Sequence, residues 1–222
     1  MTFGEIKDLV RDHIGRTDIP PHQMKYFMDS ARRLIEKEQH WYWMEAQDTW
    51  STVVGQAEYA ITVTAGGGLN LPAYKDVKTL YEKTTTSSLW TEVEITDFQQ
   101  ARPQWSTDDT GEPEKAVFQN LSIFLFPPLP DAIYNMMMDY WQWTDNPASN
   151  NLTDELCTRF PELLIYAATM FGTKFLTKNP EEYGPWQTQF AEELKRVARF
   201  DNDRHGAERI NFTPRRGPFI VH

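Results

Sequence analysis

The sequence predicts an α+β fold, helical at both ends and rich in antiparallel strands between them. Three observations carry that prediction. Apolar residues recur at helical spacing up to Trp41 and again from residue 153. Between these stretches the apolar period contracts to two, the spacing of a strand with one buried face. Beyond Phe200 neither period holds, and residues 201–222 read as an extended C-terminal arm.

The first helix follows from "TFGEIKDLVRDHIG". Thr2 and Glu5 form a capping box, Ile6, Leu9, Val10 and Ile14 make the apolar stripe, and Gly15 suits the left-handed C′ position. Pro20 and Pro21 suit the first turn of a second helix capped by Asp18, with the stripe Met24, Phe27, Met28, Ala31, Leu34 and Ile35 continuing to Glu38 and Trp41. So short a connection makes the two helices antiparallel neighbours.

The period changes at "WYWMEAQDTW". Thr49 to Ile61 reads as a hairpin turning at Gly55-Gln56, and Asp76 to Glu82 as a further strand. The triple glycine at 66–68 marks a loop, and "TTTSS" at 84–88 a hairpin tip. After the tip, Leu89, Thr91, Val93 and Ile95 share one side of a strand and Trp90, Glu92 and Glu94 the other. Residues 96–102 suit a short helix capped by Thr96 or Asp97, and "TDDTGEP" a loop.

"IFLFPPLPDAIYNMMMDYWQW" reads as two strands, Val117 to Phe126 and Ile133 to Trp143, joined by a prolyl turn, because proline cannot donate to a ladder. On the second strand Tyr134, Met136, Met138 and Tyr140 share a face, and Asn135, Met137, Asp139 and Trp141 share the other. The pair is expected as a hairpin on one side of the sheet, one face in the core and the other against a helix or a neighbouring subunit. Helical spacing then returns. Thr153 suits the cap of a short helix through Arg159, Pro161 the first turn of a longer one, and Asn179-Pro180 its end. Gly172 interrupts that helix where close packing of another backbone would tolerate it. The last helix carries Trp186, Phe190, Leu194 and Val197.

Composition narrows the function. With 22 Lys and Arg against 32 Asp and Glu the net charge is −10, which disfavours gripping duplex DNA. Three Arg and no acid lie between Arg209 and His222, a basic tail on an acidic body. A single cysteine, Cys157, leaves no internal disulfide and reads as a buried small hydrophobe. Neither a signal segment nor an apolar run long enough to span a membrane is expected. Eight Trp, nine Tyr, eight Met and thirteen Phe in a chain of mean hydropathy −0.60 suit surfaces covered by partners.

Catalytic constellations are missing: no phosphate-binding glycine loop, HExxH, GxSxG or CxxC occurs, and the histidines at 13, 22, 40, 205 and 222 lack ligand spacing. "DNDRHG" at 201–206 fails as a calcium loop, because its twelfth position is Phe212 where a bidentate Glu is required. Adjacent carboxylates such as Asp108-Asp109 diverge instead of facing each other. No catalytic, cofactor-binding or metal residue is therefore assigned. The "WYW" and "WQW" tryptophans fill the seam between helices and sheet, meet a protein partner, or stack on sugars or bases.

The order of elements, with "GEP" at 111–113, "FPPLPDAIYNMMMDYW" at 126–141 and "RFPELLIYAATMFGTKFL" at 159–176, resembles the head-to-tail adaptor proteins of tailed bacteriophages. These are also called head completion, connector or tail tubular proteins. The likeness covers residues 3–200; the triple glycine, the "TTTSS" tip and the arm are unmatched. It implies a helical bundle domain of residues 1–47 and 150–200, an inserted β-rich domain of residues 48–149, and an arm of residues 201–222. It further implies a non-enzymatic virion protein at the head-tail interface, assembled in the host cytoplasm. Such a protein forms a homo-oligomeric ring of twelve beneath the portal protein, extends the DNA channel without sequence-specific binding, and offers a platform to a tail or nozzle protein.

On that reading the portal-docking arm uses Arg204, Arg209, Ile210, Phe212, Arg215, Arg216, Phe219 and Ile220. Subunit or tail contacts use Trp41, Trp43, Trp90, Trp141 and Trp143. The alternatives are an aromatic-rich carbohydrate-binding module and a cell-wall glycosidase.

Overall fold

The structure is a computed structural model describing residues 1–61, 69, 71, 73–101, 109–119, 121–126 and 129–204. Helix α1, Phe3–Ile14, starts at the expected capping box of Thr2 and Glu5 and ends at Gly15, whose φ of 71° is the left-handed region that glycine enters freely. Helix α2, Pro21–Glu38, lacks the expected Asp18 cap. Asp18 is engaged instead by both nitrogens of an Arg16 fork at 3.0 and 2.8 Å, and Pro20 occupies the cap position without a side-chain bond.

A 3-10 turn at Tyr42–Met44 leads into β1, Glu45–Ser51. The remaining strands are β2 (Glu58–Ala60), β3 (Tyr74–Thr84), β4 (Thr91–Glu92), β5 (Glu94–Ile95), β6 (Thr110–Gly111), β7 (Lys115–Gln119), β8 (Ser122–Phe126), β9 (Leu129–Pro130) and β10 (Tyr134–Gln142). One sheet has the order β1-β10-β3-β4 and a second the order β2-β8-β7-β5, while β6 and β9 form a separate parallel pair. Leu80, Met136 and Met138 of the first sheet share one apolar cluster with Tyr59, Ala116, Ile123 and Leu125 of the second. The β-region is thus two sheets closed over a common core.

That closure overturns two expected hairpins and divides one expected strand, while the hairpin expected at the 84–88 tip forms between β3 and β4. β1 and β2 do not pair: β1 lies on β10 and β2 on β8. Buried Thr52 ends the first ladder, its N–H donating to Tyr134 O at 2.9 Å and its hydroxyl accepting from Tyr134 N at 2.8 Å. Gly55, at φ 73°, then turns the chain into the second sheet. The strand expected over 89–95 likewise divides at Val93, which stays in register with Leu80 while Glu94 donates to Glu114 O in the other sheet.

The prolyl segment does not join a hairpin either. Lys115–Gln119 and Ser122–Phe126 form their own hairpin about Leu121, at φ 62°, and β8 and β10 belong to different sheets. The run "SIFLF" hides this turn because both faces of β8 are covered: Ile123 and Leu125 enter the shared core, while Phe124 and Phe126 join Ala101 and Phe98 of helix α3, Phe98–Ala101. On β10 the expected alternation holds, with Tyr134, Met136, Met138 and Tyr140 buried and the residues between them half-buried.

Helix α4, Glu155–Arg159, takes its cap from Asp154, which accepts from Cys157 N, and not from Thr153. Helix α5, Pro161–Thr177, packs against α1, α2 and the helix that follows it. At Gly172 a Cβ would sit 2.4 Å from Ile14 Cδ1 and 3.2 Å from Phe27, so side chains crowd that position and not the expected backbone. Helix α6, Pro180–Arg204, runs four residues into the segment expected as arm. The helical core gathers Ile6, Phe27, Trp41, Leu163, Ala167 and Val197 among others. The triple glycine and residues 205–222 lie outside the described residues.

Candidate interface at the helix–sheet junction

Two chain segments connect the helices to the sheets, residues 39–44 going out and 143–154 returning, and α2 holds both. Its C-terminal carbonyls lack a glycine cap, since Gln39 is extended. The indole of Trp41 donates to Ile35 O at 2.7 Å, and the Lys75 ammonium, arriving from β3, donates to Glu36 O and, at 3.0 Å, to Gln39 O. A side chain of the sheet thereby completes a helix end.

The returning segment lies on the polar face of α2. Buried Arg32 donates to Asn146 at 2.8 Å, to the Thr144 hydroxyl at 2.7 Å and to Asp154. The same hydroxyl donates to Glu36, which is fully buried. Burial raises the Glu36 carboxyl above its ordinary value, opposed by Thr144 and the Arg32 charge. Farther along, Gly4 N donates to Asn150 O at 2.8 Å, and a Cβ on Gly4 would stand 3.0 Å from that oxygen. A cleft of about 610 Å³ remains here, lined by Lys7, Lys25, Asp29 and Arg33 among others; Lys25 pairs with Asp29 and Arg33 with Asp145, while Lys7 donates to the Asn150 side chain at 2.8 Å.

The outgoing segment is fastened by α6. Buried Asp201 accepts from Tyr42 N and from the Gln39 amide, both at 3.1 Å, and the Arg204 guanidinium lies 4.0 Å from the Tyr42 ring centre. Sequence reasoning missed Asp201 by taking "DND" for loop. The available signal was spacing: Asp201 continues the stripe of Phe190, Leu194 and Val197 by one more turn. Arg32 and Glu36 were missed because buried ion pairs leave no period of their own.

The five tryptophans expected at an interface divide. Trp41 is fully buried and stacks on Trp43 with centres 4.8 Å apart, so its expected interface role is corrected: it is a core residue whose N–H caps a helix. Trp43, Trp90, Trp141 and Trp143 are half-buried. Trp141 stacks on His40 at 4.1 Å, and Trp143 lies under Lys75 at 4.8 Å and Arg33 at 5.4 Å. Trp90 carries Lys83 at 4.6 Å. Burial and Lys75 depress the His40 imidazole and favour its neutral form over Trp141, with Asp76 pulling the other way. Faces occupied by the chain's own cations and imidazole are poorly available to a sugar ring.

Trp141 opens onto the outer face of the first sheet, where Gln47, Asp139 and Thr79 form a cross-strand polar ladder and Lys78 bonds Glu45 at 3.0 Å. Of the expected arm residues, Arg204 is helical, and Arg209, Ile210, Phe212, Arg215, Arg216, Phe219 and Ile220 lie outside the described residues. Cys157 is buried, its thiol pushed up to about 12 by burial and Asp154. Among the described residues no three His, Cys, Asp or Glu side chains are grouped to hold a metal, and no helix is long and apolar enough to cross a membrane.

No curated protein matches the sequence. The family model described as SU10 adaptor protein matches residues 1–215, including the triple glycine, the 84–88 tip and part of the segment expected as an unmatched arm. A match running through both connecting segments and both cores shows that the chain belongs to the SU10 adaptor protein family, structural adaptors of bacteriophages.

Proposed function

We propose that the protein is the head-to-tail adaptor of a tailed phage: a homo-oligomeric ring, twelve subunits in number, beneath the portal protein. The ring extends the DNA channel and presents a platform to a tail or nozzle protein. The family match over residues 1–215 carries this reading. The helical part (residues 1–47 and 150–200) and the inserted sheets (residues 48–149) act as its two domains, and the tail of the chain docks on the portal through Arg209, Ile210, Phe212, Arg215, Arg216, Phe219 and Ile220. Arg204 roots that tail on Tyr42. Trp43, Trp90, Trp141 and Trp143, with the outer face of the first sheet, supply subunit or tail contacts. A net charge of −10 suits a channel through which DNA slides without adhering.

The test is direct: purified portal assemblies are mixed with the full chain and with a chain ending at Arg204, and the products imaged by electron microscopy. The reading expects a ring under the portal for the full chain and none for the shortened one. Equal decoration by both ends the arm assignment, and no decoration by either ends the adaptor assignment.

A further inference from the structure

Glu82 sits where a carboxylate is poorly accommodated. It lies on β3 two residues past Leu80, on the strand face turned to the shared apolar core, and is 1% exposed. Its cross-strand neighbours are Met136 on β10 and Thr91 on β4. Neither of its carboxyl oxygens has a hydrogen-bond partner among the described residues. Removed from water and unpaired, such a group takes up a proton instead of staying charged.

The surroundings at this end of the sheets are acidic. The β6–β9 pair lies across it, Asp131 N donating to Gly111 O at 3.3 Å and Gly55 N to Pro130 O at 2.8 Å. Glu112 follows directly on β6, and Tyr134, the first residue of β10, donates its hydroxyl to Asp131 at 2.6 Å. Glu112 and Thr91 approach the Glu82 carboxyl without closing a hydrogen bond to either oxygen, and no cation is among the groups acting on its proton. Asp131, Glu112 and Glu82, added to burial, all act on the Tyr134 hydroxyl and push it up to about 12. Three carboxyls and a phenol therefore converge from β3, β6, β9 and β10. The same end exposes the apolar side chains of Val53, Val54 and Ile133, attached through the bonds of Thr52 to Tyr134 and Ala132.

We infer that Glu82 is a proton-operated latch. Protonated, it lies in the core and lets the β6–β9 pair close over it beside Glu112; ionised, it repels Glu112, draws in water and frees that pair together with the exposed Val53, Val54 and Ile133. The direction of titration agrees, since burial and Glu112 raise the Glu82 carboxyl from its ordinary 4.5 to about 7. The closed state thus holds its proton up to about 7, while the open state releases it near 4.5. Opening increases with pH between those values, by about tenfold per unit, and levels off above.

Hydrogen exchange read by mass spectrometry on the full chain, at pH 5 to 8 and corrected for intrinsic rates, tests the latch. Peptides spanning 109–114 and 129–134 should open about 40-fold more at pH 7 than at pH 5, while a peptide from α5 stays constant. Glu82→Gln should hold both segments closed at every pH. Glu112→Gln, an exposed position that leaves the fold alone, should make the rise level off at lower pH and with a smaller amplitude, by removing the neighbouring charge. A flat wild-type profile overturns the latch. So does a pH-dependent Glu82→Gln, a rise that α5 shares, or a Glu112→Gln profile identical to the wild type; the last comparison decides the matter even if Glu82→Gln fails to fold.

Discussion

Trp41→Ala separates a core tryptophan from an interface one. The substitution empties a fully buried indole site, which in well-packed cores costs about 3–5 kcal/mol. It also removes the stacked partner of Trp43, worth about 0.5–1.5 kcal/mol, and strips the Ile35 carbonyl of its donor. The combined loss is about 4–6 kcal/mol against a total stability on the order of 5–15 kcal/mol. Urea unfolding of the isolated chain, followed by helical circular dichroism, should show a midpoint lowered by about 1.3–2 M if the slope is near 3 kcal/mol per molar. Trp90→Ala is the control: its ring is half-buried under Lys83, and its removal should change stability by no more than about 1 kcal/mol. The reasoning fails if Trp41→Ala unfolds with the wild type and loses only its capacity to assemble.

The junction offers three further tests. Arg32→Ala takes the buried guanidinium away from Glu36, Thr144, Asn146 and Asp154, leaving Glu36 only the half-exposed Arg33, and should destabilise by about 3–5 kcal/mol at neutral pH. Because the folded-state Glu36 carboxyl is already raised and would rise further, the variant's deficit should be full above that raised value and shrink as acid protonates the group, measured as thermal midpoints from pH 7 to 5. A chain ending at Arg204 should keep wild-type stability, whereas one ending at Phe200 loses Asp201, frees the Tyr42 and Gln39 donors, and should be about 1–3 kcal/mol weaker by urea unfolding. Gly172→Ala gains about 1 kcal/mol of helix propensity but drives its methyl against Ile14 and Phe27; overpacking of about 1–3 kcal/mol should prevail, lowering the thermal midpoint.

Local chemistry was legible where it was self-contained. The capping box of Thr2 and Glu5, the Gly15 terminus, the Pro161 start and the alternation of β10 all depend on residues within a few positions of one another, and all occur as expected. Strand pairing was not legible, because partner choice depends on which sheet has room. Gly55-Gln56 looks like a hairpin turn whether the chain doubles back or crosses to the opposite sheet. What decides between them is the buried Tyr59 hydroxyl, which accepts from Val53 N and donates to the Gln56 carbonyl, holding the turn in its crossing form. In β8 the alternation vanished because helix α3 covers a face that would otherwise meet water.

The same distinction explains why the tryptophans were harder to assign than the helices. An indole advertises a need for contact but not its partner, and this chain supplies three kinds within itself: a helix carbonyl for Trp41, an imidazole for Trp141, and cations for Trp90 and Trp143. Trp41 is satisfied completely and is therefore structural. The others are satisfied on part of their surface, and the half-buried remainder of Trp43, Trp141 and Trp143 sits beside the junction where α2 binds both connecting segments, whereas Trp90 lies at the other end of β3 under Lys83. A partner that covers them would bury surface on a foundation already fixed by Arg32, Glu36, Lys75 and Asp201, so binding would require little reordering. Loosening that foundation by Lys75→Ala, which uncovers Trp143 and the Glu36 and Gln39 carbonyls together, should weaken assembly more than Trp90→Ala does although Lys75 itself need touch no partner. Equal assembly by the two variants, measured on portal-bound rings, would show that the junction's rigidity does not contribute to binding.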